Sequence, residues 1–205
     1  MTDTGRLETF ADGVFAIAIT LLVLGIRIPD AHEGLAPALA NQWPSFFAYV
    51  VSFLTIGIMW VQHHRLFTVI GRSNPTFAMI NVVFLMFIAF VPFPTQVLAQ
   101  RVFVDRQGWL LATFLYGGTM VAIAILFNAI WAYAAARNGH LLREKVAIAV
   151  REVGARGYRF GPPLYGLITL LALVHPVVSL IGFAAFAAYW ALPISGVLTG
   201  GDQTG

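Results

Sequence analysis

The chain has 205 residues, 59% of them hydrophobic and only 10% charged, with a mean hydropathy of +0.81. This is the composition of an integral membrane protein and leaves little for a separate soluble domain. Cysteine is absent, which excludes disulfides, thiolate metal sites and cysteine nucleophiles together, while the net charge of +3 sits on scattered loop residues without an aromatic-basic reading surface, which excludes nucleic acid as a partner.

Apolar runs near the roughly 20 residues that cross a bilayer predict an all-α polytopic membrane protein. Six transmembrane helices are expected at 10–28, 43–68, 76–98, 108–135, 158–174 and 177–199, forming a single domain over residues 1–205.

The first run is preceded by Arg6, Glu8 and Asp12 and carries no further charge until Arg27. Acidic residues offset Arg6 and no small-x-small site follows, so a membrane helix is expected rather than a cleaved signal peptide. On that helix Phe10, Gly13, Ile17, Thr20, Leu21, Leu24 and Ile28 share one face, and Asp12, Phe15, Ile19, Leu22 and Ile26 the opposite one. Both faces are apolar beyond the first turn, so periodicity leaves open which meets lipid, protein or a pore. Arg6 and Asp12 are separated by about 120° and about 9 Å, so each needs a partner on another helix. Asp12 either borders the helix at headgroup level or belongs to a buried polar lock.

The second span ends in Trp60, His63, His64 and Arg65, and the third carries Asn81 early; these are the partners on offer. Adjacent histidines diverge by about 100° on a helix and lack the i,i+4 spacing of helical zinc pairs, so no metal site is expected. A proton-sensitive role for either imidazole stays open. Gly71-Arg72-Ser73-Asn74-Pro75 separates the second and third spans, and Pro92 and Pro94 lie late in the third. Of the polar connector 137–159, LLREKVAIAVREV either extends the fourth helix or lies along the inner interface. Val174-His175-Pro176 makes a tight turn before the last span, and His32, His140 and His175 fall in loops.

With the amino terminus inside, Arg6, Arg65, Arg72, Arg137, Arg143, Lys145, Arg151, Arg156 and Arg159 lie on the inner side, against Arg27, Arg101 and Arg106 outside. Both termini are therefore expected in the cytoplasm of a cell with this protein in its plasma membrane, and Trp43 and Trp109 at the outer interface.

The opening R-L-E-T-F-A-D-G-V-F-A-I-A-I-T-L-L-V-L, with Arg6, Phe10 and Asp12, resembles the first helix of the transmembrane-protein-175 family, the potassium channels of endolysosomes and their shorter bacterial relatives. Trp60-Val61-Gln62-His63-His64-Arg65-Leu66-Phe67, Asn81 with its apolar run, and Phe90-Val91-Pro92-Phe93-Pro94-Thr95 resemble the same family in the same order. The family's usual F-S-D reads Phe10-Ala11-Asp12 here, which removes one hydroxyl from the polar network. The second half matches in hydropathy and spacing alone.

The resemblance implies a homotetramer in which the first helix of each six-helix subunit lines one central pore. It implies potassium as the permeant ion, no cofactor, and no T-V-G-Y-G filter, a sequence that this chain lacks. It places Ile17 at the narrow constriction, with Thr20, Leu21 and Leu24 as its outward neighbours. Beside it, Arg6, Asp12, Trp60, His64 and Asn81, of one subunit or of neighbouring ones, are expected to form an inner polar network. Rings of branched alkyl groups expel water and so gate without a charged plug, and a Thr20 ring replaces lost hydration. A secondary transporter or proton-coupled membrane protein is the rival reading. An enzyme is not expected, since no Ser-His-Asp or H-E-x-x-H set is present.

Overall fold

A computed structural model describes residues 2–101, 104–143 and 159–191. The helices there are α1 (Gly5–Leu21), prolonged by a 3-10 turn at Leu22–Gly25, a short α2 (Leu35–Asn41), α3 (Trp43–Val69), α4 (Pro75–Phe90), α5 (Pro92–Arg101), α6 (Arg106–Gly139), α7 (Gly161–Leu170), prolonged by a 3-10 turn at Leu171–Leu173, and α8 (Pro176–Ala191).

The ends of these helices have local causes. Asn74 caps α4 by accepting from the Phe77 N–H at 2.9 Å, with Pro75 at the first helical position. Asp105 does the same for α6 through the Gly108 N–H at 2.6 Å. Pro92 and Pro94 each lack a donor, so the predicted third span breaks at Val91 into α4 and α5. Gly139 ends α6 with φ of 78°, a left-handed conformation that glycine adopts without steric cost. The chain then turns back instead of extending the helix: Leu141 O accepts from Gly71 N at 3.0 Å and Arg143 N donates to Val69 O at 2.9 Å. Residues 144–158, which hold most of the predicted connector, lie outside the described residues.

Four segments are long and apolar enough to cross a membrane: Gly5–Gly25, Trp43–Val69, Pro75–Arg101 and Arg106–Ala136. The helices in the place of the fifth and sixth predicted spans are apolar but shorter. The 16 residues of α8 reach about 24 Å at helical rise, against roughly 30 Å of hydrocarbon. The predicted last span continues to 199, and residues 192–199 lie outside the described ones.

Lipid tails are as apolar as leucine, so close packing and internal hydrogen bonds must hold such helices together. A β-carbon on Gly117 of α6 would overlap the Thr169 hydroxyl of α7, so only glycine allows that approach. Ser179 of α8 donates to the Ile168 carbonyl at 2.8 Å. Ser52 of α3 meets Thr95 of α5 at 2.9 Å and Tyr116 of α6 at 3.3 Å. Phe15, Phe67, Phe77 and Phe84 form the fully buried aromatic centre. At one end of the bundle Thr2 and Ser73 exchange backbone bonds of 3.1 and 2.8 Å, bringing the amino terminus, the α3–α4 turn and the end of α6 to the same side.

Candidate pore-lining face and inner polar site

Helix α1 has two unlike faces. Ala11, Phe15, Ala18 and Leu22 are buried against the bundle, and α3 and α4 supply the surfaces they pack on. Ile17 is 61% and Leu24 72% exposed, and Phe10, Gly13, Thr20 and Leu21 are exposed with them. A single subunit therefore offers the Ile17, Thr20, Leu21 and Leu24 stripe no partner of its own. Thr20 Oγ1 donates to the Ile17 carbonyl at 2.9 Å, which places its hydrogen on the helix and leaves the oxygen's lone pairs outward.

Helix α1 starts five residues before the predicted span, at Gly5, where Thr4 Oγ1 bonds Glu8 at 2.6 Å. Asp12 is thus two turns inside the helix and not at its cap, and in the single subunit it is exposed, so no buried lock forms around it there. It lies between the buried and exposed faces, and Trp60 Nε1 donates to its Oδ1 at 2.8 Å. His64 lies against that indole, with ring centroids 6.3 Å apart and planes inclined by 25°. Arg6 is exposed and has no hydrogen bond or ion pair among the described residues. At 100° per residue it comes within about 20° of the azimuth of Ile17 and Leu24, so it marks the amino-terminal end of the exposed stripe.

Within one subunit Asn81 bonds residues other than Asp12. Its amide oxygen faces His63 Nε2 at 3.3 Å and its amide nitrogen donates to the Phe77 carbonyl at 3.0 Å. That orientation makes Asn81 Oδ1 the acceptor and requires the proton on His63 Nε2. Both side chains are buried, His63 at 2% exposure and Asn81 at 0%. The imidazole stacks on Phe84 at 5.6 Å and 7°, and packs against Phe67 at 4.5 Å and Phe15 at 5.6 Å. The sequence offers His63 and His64 alike as partners, with only His64 assigned to the inner network. A signal separating them was present: Ser52, Thr55, Ile56, His63, Leu66 and Phe67 form one buried helical stripe, and only one of two adjacent residues can join it.

At the other end of α1, Arg27 bonds Glu33 at 2.7 Å and Asp30 at 3.4 Å. Glu33, through its hydrogen bond and its charge, and then Asp30 raise the arginine above its ordinary pKa. Among the described residues no group of three or more His, Asp or Glu is assembled that could hold a metal ion.

Comparison with known proteins gives this geometry its kin. Residues 6–92 match the family model of the endosomal/lysosomal potassium channel TMEM175. A potassium channel of Streptomyces collinus is 44% identical over 193 residues, covering 93% of this chain and 92% of that protein. A potassium channel of Chamaesiphon minutus is 40% identical over 196 residues, covering 93% and 95%. The crystal structure of a lysosomal potassium-selective channel TMEM175 homolog from Chamaesiphon minutus superposes with a TM-score of 0.81 at 38% identity, covering 92% of this chain and 96% of that one. Agreement in both sequence and fold over more than nine-tenths of each chain leads to one assignment: the chain belongs to the TMEM175 family.

Proposed function

We propose that the chain is a potassium-permeable cation channel of the plasma membrane, and not an enzyme. The observation that carries this reading is its kinship, over more than nine-tenths of both partners, with relatives named potassium channels. In this reading four copies of one six-span domain, residues 1–205, assemble with both termini cytoplasmic. Helix α1 of each copy turns its exposed stripe toward a common axis, and α7 and α8 complete the six spans.

The two-faced α1 supports the residue roles. Fourfold repetition turns Ile17 and Leu24 into apolar rings, with Leu21 beside them, and rings of this kind exclude water until they part slightly. Thr20 presents an oxygen whose hydrogen is already used by the Ile17 carbonyl, so it acts toward a cation as an acceptor. Arg6 lies on the azimuth of the stripe, where an unpaired positive charge would repel the permeant ion. Of the two acidic groups within the same two turns, Glu8 is engaged by the Thr4 hydroxyl, which leaves Asp12 of a neighbouring copy to meet Arg6, and an Arg6–Asp12 contact between copies, buttressed by Trp60 and His64, fixes the tilt of the pore helix. Asn81 serves this network indirectly, by holding His63 and hence α3. Potassium is the only ligand required, and no cofactor takes part.

The reading is tested by reconstitution in planar bilayers under a potassium/sodium gradient. Wild type is expected to give passive unitary currents reversing toward the potassium equilibrium potential, and Ile17→Asn to raise the open fraction. Stoichiometric exchange without unitary currents would overturn the channel in favour of a secondary transporter.

A further inference from the structure

Helix α7 begins beside the middle of α6, not at its end: Gly161 approaches Ala124, about 22 Å short of Gly139 along the helix. Next to that late start, between α3, α6, α7 and α8, lies a cavity of about 90 Å³ that is open along one side. Met59, Phe127, Tyr165, Phe186 and Trp190 make its wall apolar and aromatic. Gln62 adds an amide that has no hydrogen-bond partner among the described residues.

Two exposed cations stand close in the chain to residues that line this slot. Arg65 is exposed one turn beyond Gln62, on the flank of the α3 face that lines the slot. Arg159 is exposed two residues before Gly161, itself a lining residue. Neither guanidinium has an acidic partner among the described residues. A soluble anion needs no aromatic slot, and a neutral lipid needs no pair of guanidinium groups. The two features together match one molecule, with a chain that prefers hydrocarbon and a phosphate that prefers arginine.

We propose that this notch binds one anionic phospholipid of the leaflet on the amino-terminal side, which the proposed orientation makes the cytoplasmic leaflet. Part of one acyl chain lies against Met59, Phe127 and Trp190, Arg65 and Arg159 hold the phosphate, and the Gln62 amide donates to a glycerol ester oxygen. The lipid fills the slot between α3, α6, α7 and α8 and ties α7 and α8 to α3.

The test is lipid retention by the full chain extracted from vesicles of equal phosphatidylglycerol and phosphatidylcholine, read by mass spectrometry. Wild type is expected to retain phosphatidylglycerol preferentially. The exposed double variant R65Q/R159Q is expected to lose about five-fold of that preference for each arginine removed, with its elution profile and melting temperature unchanged. Ala124→Phe, which fills the slot, is expected to lower retention of either lipid. An unchanged lipid ratio in the double variant overturns the proposal, as does displacement of the lipid by millimolar glycerol phosphate, which would make the site one for a free anion. The readout is binding, so channel activity can fail while this site stands, and the reverse.

Discussion

The His63–Asn81 pair joins α3 to α4 beneath the rings of Phe15, Phe67 and Phe84. Three residues along α3, about 4.5 Å away by helical rise, the Asp12–Trp60 pair joins α1 to α3 in the open. The buried pair is complete in itself: the amide uses both ends, one on the imidazole and one on the Phe77 carbonyl. The exposed pair leaves carboxylate lone pairs unused. In hydrocarbon an unused polar group is costly, so the first arrangement is what packing alone demands, and the second leaves an acceptor free for the contact between copies proposed above.

Substitutions separate the two, the largest effect coming first. His63→Ala removes a ring from the aromatic centre and orphans Asn81, and is expected to cost roughly 3–5 kcal/mol, seen as loss of monodisperse protein and a fall in melting temperature. Asn81→Leu is expected to cost about 1–3 kcal/mol, and His63→Leu with Asn81→Leu less than the two singles summed, because no partner is then left unpaired. Trp60→Phe keeps the ring and removes the donor, at about 0.5–1.5 kcal/mol, with a drop in the tetramer fraction by native mass spectrometry. Asp12→Asn keeps an acceptor for the indole, so subunit stability is expected to shift by no more than about 0.5 kcal/mol. Its loss of charge, like Arg6→Ala, is expected to lower tetramer yield or conductance. Wild-type assembly and currents in both variants would remove the proposed contact between copies.

Much of the helical plan was legible. The predicted second span, 43–68, lies within one residue of Trp43–Val69, because Pro44 opens it and Gly71 to Pro75 close it. The first span is expected from residue 10, while the helix that contains it opens at Gly5. Hydropathy marks where hydrocarbon ends, while a helix continues as long as its first turn is satisfied, here by Asp3, which accepts from the Gly5 N–H at 3.3 Å, and by the Thr4 carbonyl. That His63 and not His64 is the buried imidazole is legible in the register of α3, whose buried stripe admits only one of two adjacent residues.

Residue type alone determined that this chain enters a bilayer, roughly where its long helices run, where proline and glycine interrupt them, and which motifs ally it with its family. Which face of α1 packs inward, and which polar residue meets which, was decided by tertiary structure. The physical reason is that leucine against lipid and leucine against protein are nearly equivalent in energy, so helical periodicity carries no preference. Shape selects the inward face: Ala11 and Ala18 let α1 approach the bundle closely, Phe15 fills the gap between them, and Ile17 and Leu24 are left outside.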